Sequence, residues 1–66
     1  MPKEEAIEQL AQLMTYNEGM TGEEPDYVTV WNRIQDLTDY VLCHEPYPGD
    51  WEPSEGFKAF LERTKS

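Results

Sequence analysis

The sequence predicts an all-α fold: a small three-helix domain with a long central helix and a Pro-rich loop before the C-terminal helix. Apolar residues recur in steps of three and four from Tyr27 to Val41, which is the spacing of a single helical face. Two further helical patterns lie before and after this segment, and clusters of proline and glycine separate the three. Because a chain of 66 residues has room for one core, residues 1–66 are expected to form a single domain.

The first helix is predicted to begin at Pro2, whose fixed φ suits a first turn, and to end near Tyr16 or Asn17. Two glutamates occupy its opening turn, where carboxylates complement the helix dipole. The loop 18–25 follows, with two glycines, three acids and a proline. Within this loop, Met20 is expected to fold back onto the core, as an apolar side chain between polar neighbours.

The central helix is predicted to span Pro25–His44. Its run Tyr27–Trp31 is β-branched and aromatic, which on propensity alone favours a short strand. The helical interpretation is preferred because the periodicity continues through Val41 and because a lone strand would have no partner. On the outer face of this helix, Arg33 is expected to reach Asp36 across one turn.

The segment 45–53 ends the central helix, because its three prolines and one glycine are incompatible with a continued helix. Trp51 is expected to cover an open edge of the core, whereas Tyr47 either covers the core or is displayed to a partner. Ser54 is the expected N-cap of the last helix, which runs to Thr64. The predicted core comprises Ile7, Leu10, Leu13, Met14, Val30, Trp31, Ile34, Leu37, Val41, Phe57, Phe60 and Leu61.

Charge is the most unusual property of the sequence. Fourteen acids and five bases give a net charge of −9, and the span from Glu4 to Glu55 holds thirteen acids and one base, Arg33, for a charge of −12. Such a field repels nucleic acid and anionic membranes and attracts basic proteins. We therefore expect no direct binding to nucleic acid or to a membrane; the alternative is that the charge only maintains solubility.

No pattern of catalytic or metal-binding residues is present. Cys43 and His44 are adjacent, so on a helix their side chains point about 100° apart; a buried thiol and a helix-terminal imidazole are expected instead. With one cysteine and one histidine, a closed structural zinc site would need carboxylates for its other ligands. We predict no enzyme activity, metal or cofactor. An enzyme that uses His44 with Asp50 or Glu52 is the least favoured hypothesis.

Two acidic segments, Glu18 to Asp26 and Glu45 to Glu55, flank the ends of the central helix, and two aspartates lie between them on its outer face. A strip of carboxylates of this length can compete for a groove that holds a phosphate backbone. Aromatic side chains within the strip would supply uncharged anchoring contacts. The predicted partner-binding residues are Glu23, Glu24, Asp26, Asp36, Asp39, Tyr40, Glu45, Tyr47, Asp50, Trp51 and Glu52.

Three parts of the chain carry a resemblance to a known family: the acidic helix entry GEEPDYV at 22–28, the pair Tyr47-Pro48, and the helix from Ser54 to Leu61. Their layout resembles the immunity proteins that neutralise colicin nucleases, which are also small, acidic and helical. Those proteins are longer and carry paired tyrosines before proline, where this chain has Tyr47 alone, so no residue roles are transferred. Small phage-encoded inhibitors, including anti-CRISPR proteins, share the size and charge.

The expected function is therefore that of a non-enzymatic acidic inhibitor, similar to a DNA mimic, that occupies a basic surface on a nuclease or another nucleic-acid-binding protein. The alternative is a small structural or adaptor protein, such as a homodimer that buries Trp31 or Phe60. The expected location is the cytoplasm. The free thiol suits a reducing compartment, and the chain has neither a signal peptide pattern nor an apolar run of about 18 residues.

Overall fold

A computed structural model of the chain describes residues 2–65. Three helices are present, α1 (Pro2–Glu18), α2 (Tyr27–Cys43) and α3 (Glu55–Lys65), with no strand among the residues described. The all-α prediction is confirmed, as is the choice of helix over strand for residues 27–31. The central helix is long, but α1 matches it at 17 residues. None of the three helices has the length and apolar character needed to cross a membrane within residues 2–65.

α2 begins two residues later than predicted because residues 24–26 form a turn. The amide of Tyr27 donates to the carbonyl of Glu24 at 3.1 Å, a three-residue step that precedes regular helix. The Glu24 carboxylate accepts hydrogen bonds from the amides of Thr21 and Gly22 at 3.0–3.1 Å, so it stabilises its own loop. Asp26 occupies the N-cap position of α2, but its side chain makes no capping hydrogen bond to the helix.

The other helix ends agree with the expected local chemistry. His44 takes a left-handed conformation, with φ 58° and ψ 27°, and thereby terminates α2. The amides of His44 and Glu45 both donate to the carbonyl of Asp39. These two bonds close the last turn of α2, where carbonyl groups otherwise have no hydrogen-bond donor within the helix. Ser54 caps α3 as predicted, since its hydroxyl oxygen accepts the amide of Phe57 at 3.3 Å.

The helix in the middle of the packing is α1, although α2 is the central helix in the order of the chain. The backbone of α1 approaches both α2 and α3, whereas no Cα atoms of α2 and α3, as the structure describes them, come within 8 Å of each other. Tyr16 of α1 extends into the space between them. Its ring lies 5.6 Å from that of Phe57 and 5.4 Å from that of Phe60, and its hydroxyl reaches Asp26. α1 is therefore the middle element.

Two contacts show that α1 and α2 run antiparallel. Tyr16 pairs with Asp26 at 2.9 Å and Gln9 pairs with Arg33 at 2.8 Å, so positions earlier in α1 meet positions later in α2. The same register places Met14 level with Val28.

The core is smaller than the sequence predicts. Its fully buried apolar side chains are Ala6, Leu13, Val30, Leu37 and Phe57. Partly buried side chains pack against them, including Met20 and Trp51 as expected. The assignment of Ile7, Met14 and Trp31 to the core is wrong, because these residues are 49%, 51% and 47% exposed. The apolar stripes of α1 and α2 are wider than the surface that the two helices bury against each other. α3 packs on another side of α1 and leaves these three side chains uncovered.

Two further expectations are wrong. Arg33 does not lie on the outer face of α2 but is buried, with 4% of its surface exposed. It follows Val30 by three residues and precedes Leu37 by four, so helical geometry places it on the inward stripe. The thiol of Cys43, expected to be buried, is exposed at the last turn of α2.

Candidate functional site

The loop 44–54 folds back along α2 because Arg33 binds it. The guanidinium donates from Nη2 to the carbonyl of Gly49 at 2.9 Å and from Nε to Oε1 of Gln9 at 2.8 Å. Gly49 has φ +94°, a conformation that side chains rarely adopt, and this turn presents its carbonyl to Arg33. Arg33 precedes Cys43 by ten residues, or about 15 Å of helix. The acidic loop therefore lies beside α2 and does not extend beyond its end.

Aromatic rings complete the environment of the buried cation. The Cζ atom of Arg33 lies 5.8 Å from the ring centroid of Trp51 and 6.0 Å from that of Tyr47. Tyr47 in turn meets Tyr40 edge-on at 5.2 Å. Such cation–π contacts strengthen as the cation loses water. We call this group, Arg33 with Tyr40, Tyr47 and Trp51, the Arg33 cluster.

Exposed carboxylates surround the Arg33 cluster. Asp36 follows Arg33 by three residues and precedes Tyr40 by four, so it lies on the same side of α2 and is exposed. Three more exposed acids belong to the loop that Arg33 holds in place. We define the acidic face as these four carboxylates, namely Asp36, Glu45, Asp50 and Glu52. Tyr47, which is 36% exposed, lies among them.

Asp39 is exposed and follows Asp36 by three residues, so it borders the acidic face on the side of α2 away from Arg33. The remaining predicted site residues lie apart from this face. Glu23 is exposed in the loop before α2. Asp26 precedes Asp36 by ten residues, or about 15 Å along the helix. The expected strip is thus concentrated at the Arg33 cluster, with a separate acidic group at the start of α2.

Within that separate group, two carboxylates are used by the fold. Hydrogen bonds hold the pKa of Glu24 below its usual range, and the largest contribution comes from the backbone amide of Thr21. Partial burial would raise the pKa of Asp26, but hydrogen bonds from Ser54 at 2.6 Å and from Tyr16 at 2.9 Å outweigh burial and keep it lowered. Both groups remain ionised and bonded, so each contributes negative charge while its side chain stays fixed.

A depression of about 460 Å³ lies beside this hydrogen-bonded group, at the joint between the three helices. Burial, followed by the bond to Asp26, raises the pKa of Tyr16 to about 12, so the phenol stays protonated at neutral pH. The phenol is therefore protonated and the carboxylate beside it ionised, and both pKa values are shifted away from neutrality. The lining residues are Tyr16, Glu24, Pro25, Asp26, Thr29, Glu55 and Gly56.

The structure brings no metal-ligand set together: within residues 2–65, no three histidine, cysteine, aspartate or glutamate side chains are placed to hold an ion. His44 is exposed, and over the same residues no hydrogen bond joins it to Asp50 or Glu52.

Sequence reasoning missed the residues that organise the site. The spacing of Arg33 from Val30 and Leu37 is a signal that would have placed it on the inward stripe. No linear signal pairs Gln9 with Arg33, because 24 residues separate them.

Comparison of the chain with models of known protein families, with curated proteins and with solved structures finds no match. The function is therefore argued from the geometry and electrostatics of the chain itself.

Proposed function

We propose that the protein is a non-enzymatic, DNA-mimicking inhibitor whose acidic face occupies a basic, nucleic-acid-binding surface of a protein partner, such as a nuclease. One observation supports this most. Arg33, the sole base between Glu4 and Glu55, is withdrawn into the interior with 4% exposure. The outer surface of that span consequently displays carboxylates uninterrupted by a cation from the same span.

Electrostatics gives this surface its preference for partners. Thirteen acids and one buried base leave the span with a charge of −12. A field of this sign accelerates encounter with a basic surface and repels nucleic acid, which competes for the same surface. An acidic protein of this kind reproduces the charge of a phosphate backbone without its sequence information.

The Arg33 cluster fixes the loop 44–54 before binding and provides an aromatic contact for a partner. A loop fixed before binding loses less conformational entropy when the complex forms, so affinity rises without additional contacts. Here the guanidinium fixes the loop through the Gly49 carbonyl and through two aromatic rings. The exposed part of Tyr47 provides an amphipathic contact in the same loop as three of these carboxylates, and tyrosine is among the residues that commonly contribute most to binding.

The proposal is tested by capturing partners from a lysate of the native host at low salt on the immobilised protein, and eluting them with a salt gradient. Each eluted protein is then assayed for nucleic-acid binding with and without added inhibitor. We expect displacement of the nucleic acid, and an affinity for the inhibitor that falls as ionic strength rises.

Matched variants identify the surface that acts. Neutralising the acidic face should weaken partner binding at least about tenfold, or roughly 1.4 kcal/mol. The acidic-face variant is D36N/E45Q/D50N/E52Q and the control is E4Q/E5Q/E8Q/E18Q. The control removes the same number of charges from exposed positions of α1 and should reduce partner affinity much less. Equal losses in the two variants would show that only net charge matters, and an affinity independent of salt would reject the proposal.

A further inference from the structure

An apolar face remains uncovered on α1 and α2. Ile7 and Met14 are seven residues apart, two turns along one side of α1, and Val28 and Trp31 occupy one turn of α2. Val28 is 65% exposed and the other three are about half exposed. Leu10 and Ile34 lie partly buried beneath them and pack against the core. We call these six residues the apolar face.

The two halves of the apolar face lie on the same side of the molecule. α3 lies against the side of α1 that carries Gln12 and Thr15, as shown by a shared depression with Phe60. Met14 follows Gln12 by two residues, about 200° around the helix, and so points away from α3.

On α2, Trp31 follows Thr29 by two residues, and Thr29 lines the depression at the start of α3. Trp31 thus also points away from α3. Because the register of the antiparallel pair places Met14 level with Val28, the two halves form one continuous surface.

The six residues of the apolar face are uncharged, although the protein carries −9. Glu18 follows Met14 by four residues and Asp39 follows Val28 by eleven, so carboxylates lie beyond its two ends. A basic protein is attracted to the acidic face and gains no charge pairing here. What fits this surface is another uncharged apolar surface, and each copy of the chain offers one of equal shape.

Surface area supports coverage by a second copy. The chain exposes 4770 Å², whereas a folded monomer of its mass exposes about 4300 Å². The side of the α1–α2 pair that carries the apolar face is about 25 Å long and, with the helices packed roughly 10 Å apart, covers about 500 Å², with the apolar face at its centre and polar residues around it. Two such sides bury about 1000 Å² in total, the lower limit for a specific interface, which ordinarily has an apolar centre and a polar rim. A dimer of moderate affinity is therefore expected.

We infer that two copies of the chain associate through their apolar faces, so that two α1–α2 pairs pack into a four-helix arrangement. Each α3 and each acidic face then lie on the outside. The dimer presents two acidic faces. This association does not depend on the proposed function.

Sedimentation equilibrium of the full chain, from about 1 to about 300 µM, tests the inference. We expect monomer at the low end and dimer at the high end. Because salt screens the repulsion between two copies of charge −9, dimerisation should strengthen as salt rises from about 0.05 to 0.5 M. Binding of a basic partner responds to salt with the opposite sign, so the two proposals can fail separately.

Variants locate the interface. Trp31→Glu should weaken the dimer at least about tenfold, since it places a carboxylate at the centre of the apolar face. Ile7→Glu should do the same from α1, and circular dichroism of both variants reports whether the helices persist. Ala59→Glu adds the same charge on the exposed side of α3 and should leave the dimer unchanged. A chain that stays monomeric at every concentration, or a dimer that Trp31→Glu and Ile7→Glu leave intact, would overturn the inference.

Discussion

The Nε atom of Arg33 donates a 2.8 Å hydrogen bond to Oε1 of Gln9, which lies 24 residues earlier in the chain. This contact joins α2 to α1, and the second bond of the guanidinium, to the Gly49 carbonyl, joins both helices to the Pro-rich loop. The partners within the described chain are neutral oxygens and aromatic rings. A buried cation held in this way makes its polar partners depend on it, since both hydrogen bonds are partly shielded from water.

Arg33→Met should therefore destabilise the protein by about 2 kcal/mol, because it leaves the Gln9 and Gly49 oxygens without a donor. Urea unfolding followed by circular dichroism measures the change, and amide hydrogen exchange should accelerate within residues 44–54. Lys58→Met removes one positive charge at an exposed position of α3 and should change stability by less than about 0.5 kcal/mol. Equal effects of the two substitutions would contradict the role assigned to Arg33.

What the sequence could predict was local. Helical periodicity identified all three helices, and the preference of serine for N-caps identified Ser54. Periodicity also assigned Trp31 to the core, because the spacing of apolar residues does not say which part of an apolar stripe a neighbouring helix covers. That depends on where α3 packs, and α3 packs against α1 on the side away from Trp31.

The candidate site was predicted only in part. Tyr40 contacts Tyr47, and Tyr47 and Trp51 each lie against Arg33, which was expected on the outer face of α2. The spacing of Arg33 from Val30 and Leu37 favours an inward position, whereas its charge favours the surface. In the structure Arg33 is buried, as the spacing indicates. The bond from Ser54 to Asp26 spans 28 residues, and no local pattern encodes it.

Gly56→Ala should destabilise the protein by about 1–3 kcal/mol, although alanine ordinarily favours a helix by about 1 kcal/mol over glycine. A Cβ atom at position 56 would collide with the Tyr16 hydroxyl and lie 3.0 Å from Oδ2 of Asp26. The hydroxyl cannot turn aside easily, because it is bonded to Asp26 and its ring packs between two phenylalanines. Urea unfolding measures the loss.

The double variant Gly56→Ala/Tyr16→Phe separates this collision from a general effect of alanine. Without the hydroxyl, the cost of Gly56→Ala should shrink by at least about 1 kcal/mol, which a double-mutant cycle reports as coupling. Additive effects of the two substitutions would show that the close approach of Tyr16 to Gly56 has no energetic consequence.

The alkaline limit of stability should depend on Tyr16. Its folded pKa is raised from 10.0 to about 12, so the stabilisation is fully present below pH 10 and is lost as pH rises through 12. Because the phenol keeps contact with solvent, the loss of stability should be well under about 3 kcal/mol. Urea midpoints measured from pH 8 to pH 12 should fall more steeply for the natural chain than for Tyr16→Phe. Parallel curves would exclude a raised pKa at this position.

The acidic limit should depend on Asp26. Its folded pKa is lowered, so its stabilisation is present above the ordinary aspartate pKa of about 3.9 and is lost as pH falls through the folded value. Asp26→Asn keeps the shape of the side chain but not the charge, and should destabilise the protein at pH 7. The difference in stability between the two proteins should shrink as pH falls below about 4. A gap that stays constant would mean that the bonds from Tyr16 and Ser54 do not prefer the ionised form.

His44→Gly should stabilise the protein by about 0.5–1 kcal/mol, because the left-handed conformation with φ 58° is costly for any residue with a Cβ atom. The greater freedom of glycine in the unfolded chain offsets part of this gain. Cys43→Gly is the matched control, since the neighbouring position is helical and should lose about 1 kcal/mol. Thermal unfolding of both variants measures the difference.

The same variant bears on function. If the imidazole served catalysis with Asp50 or Glu52, His44→Gly would abolish the biological effect while it raised stability. In the proposed inhibitor, His44 only ends α2 before the loop that carries the acidic face. Partner affinity should then be equal to that of the natural chain, or slightly higher, because a firmer helix end holds the loop better. A loss of effect in this more stable variant would favour the enzyme over the inhibitor.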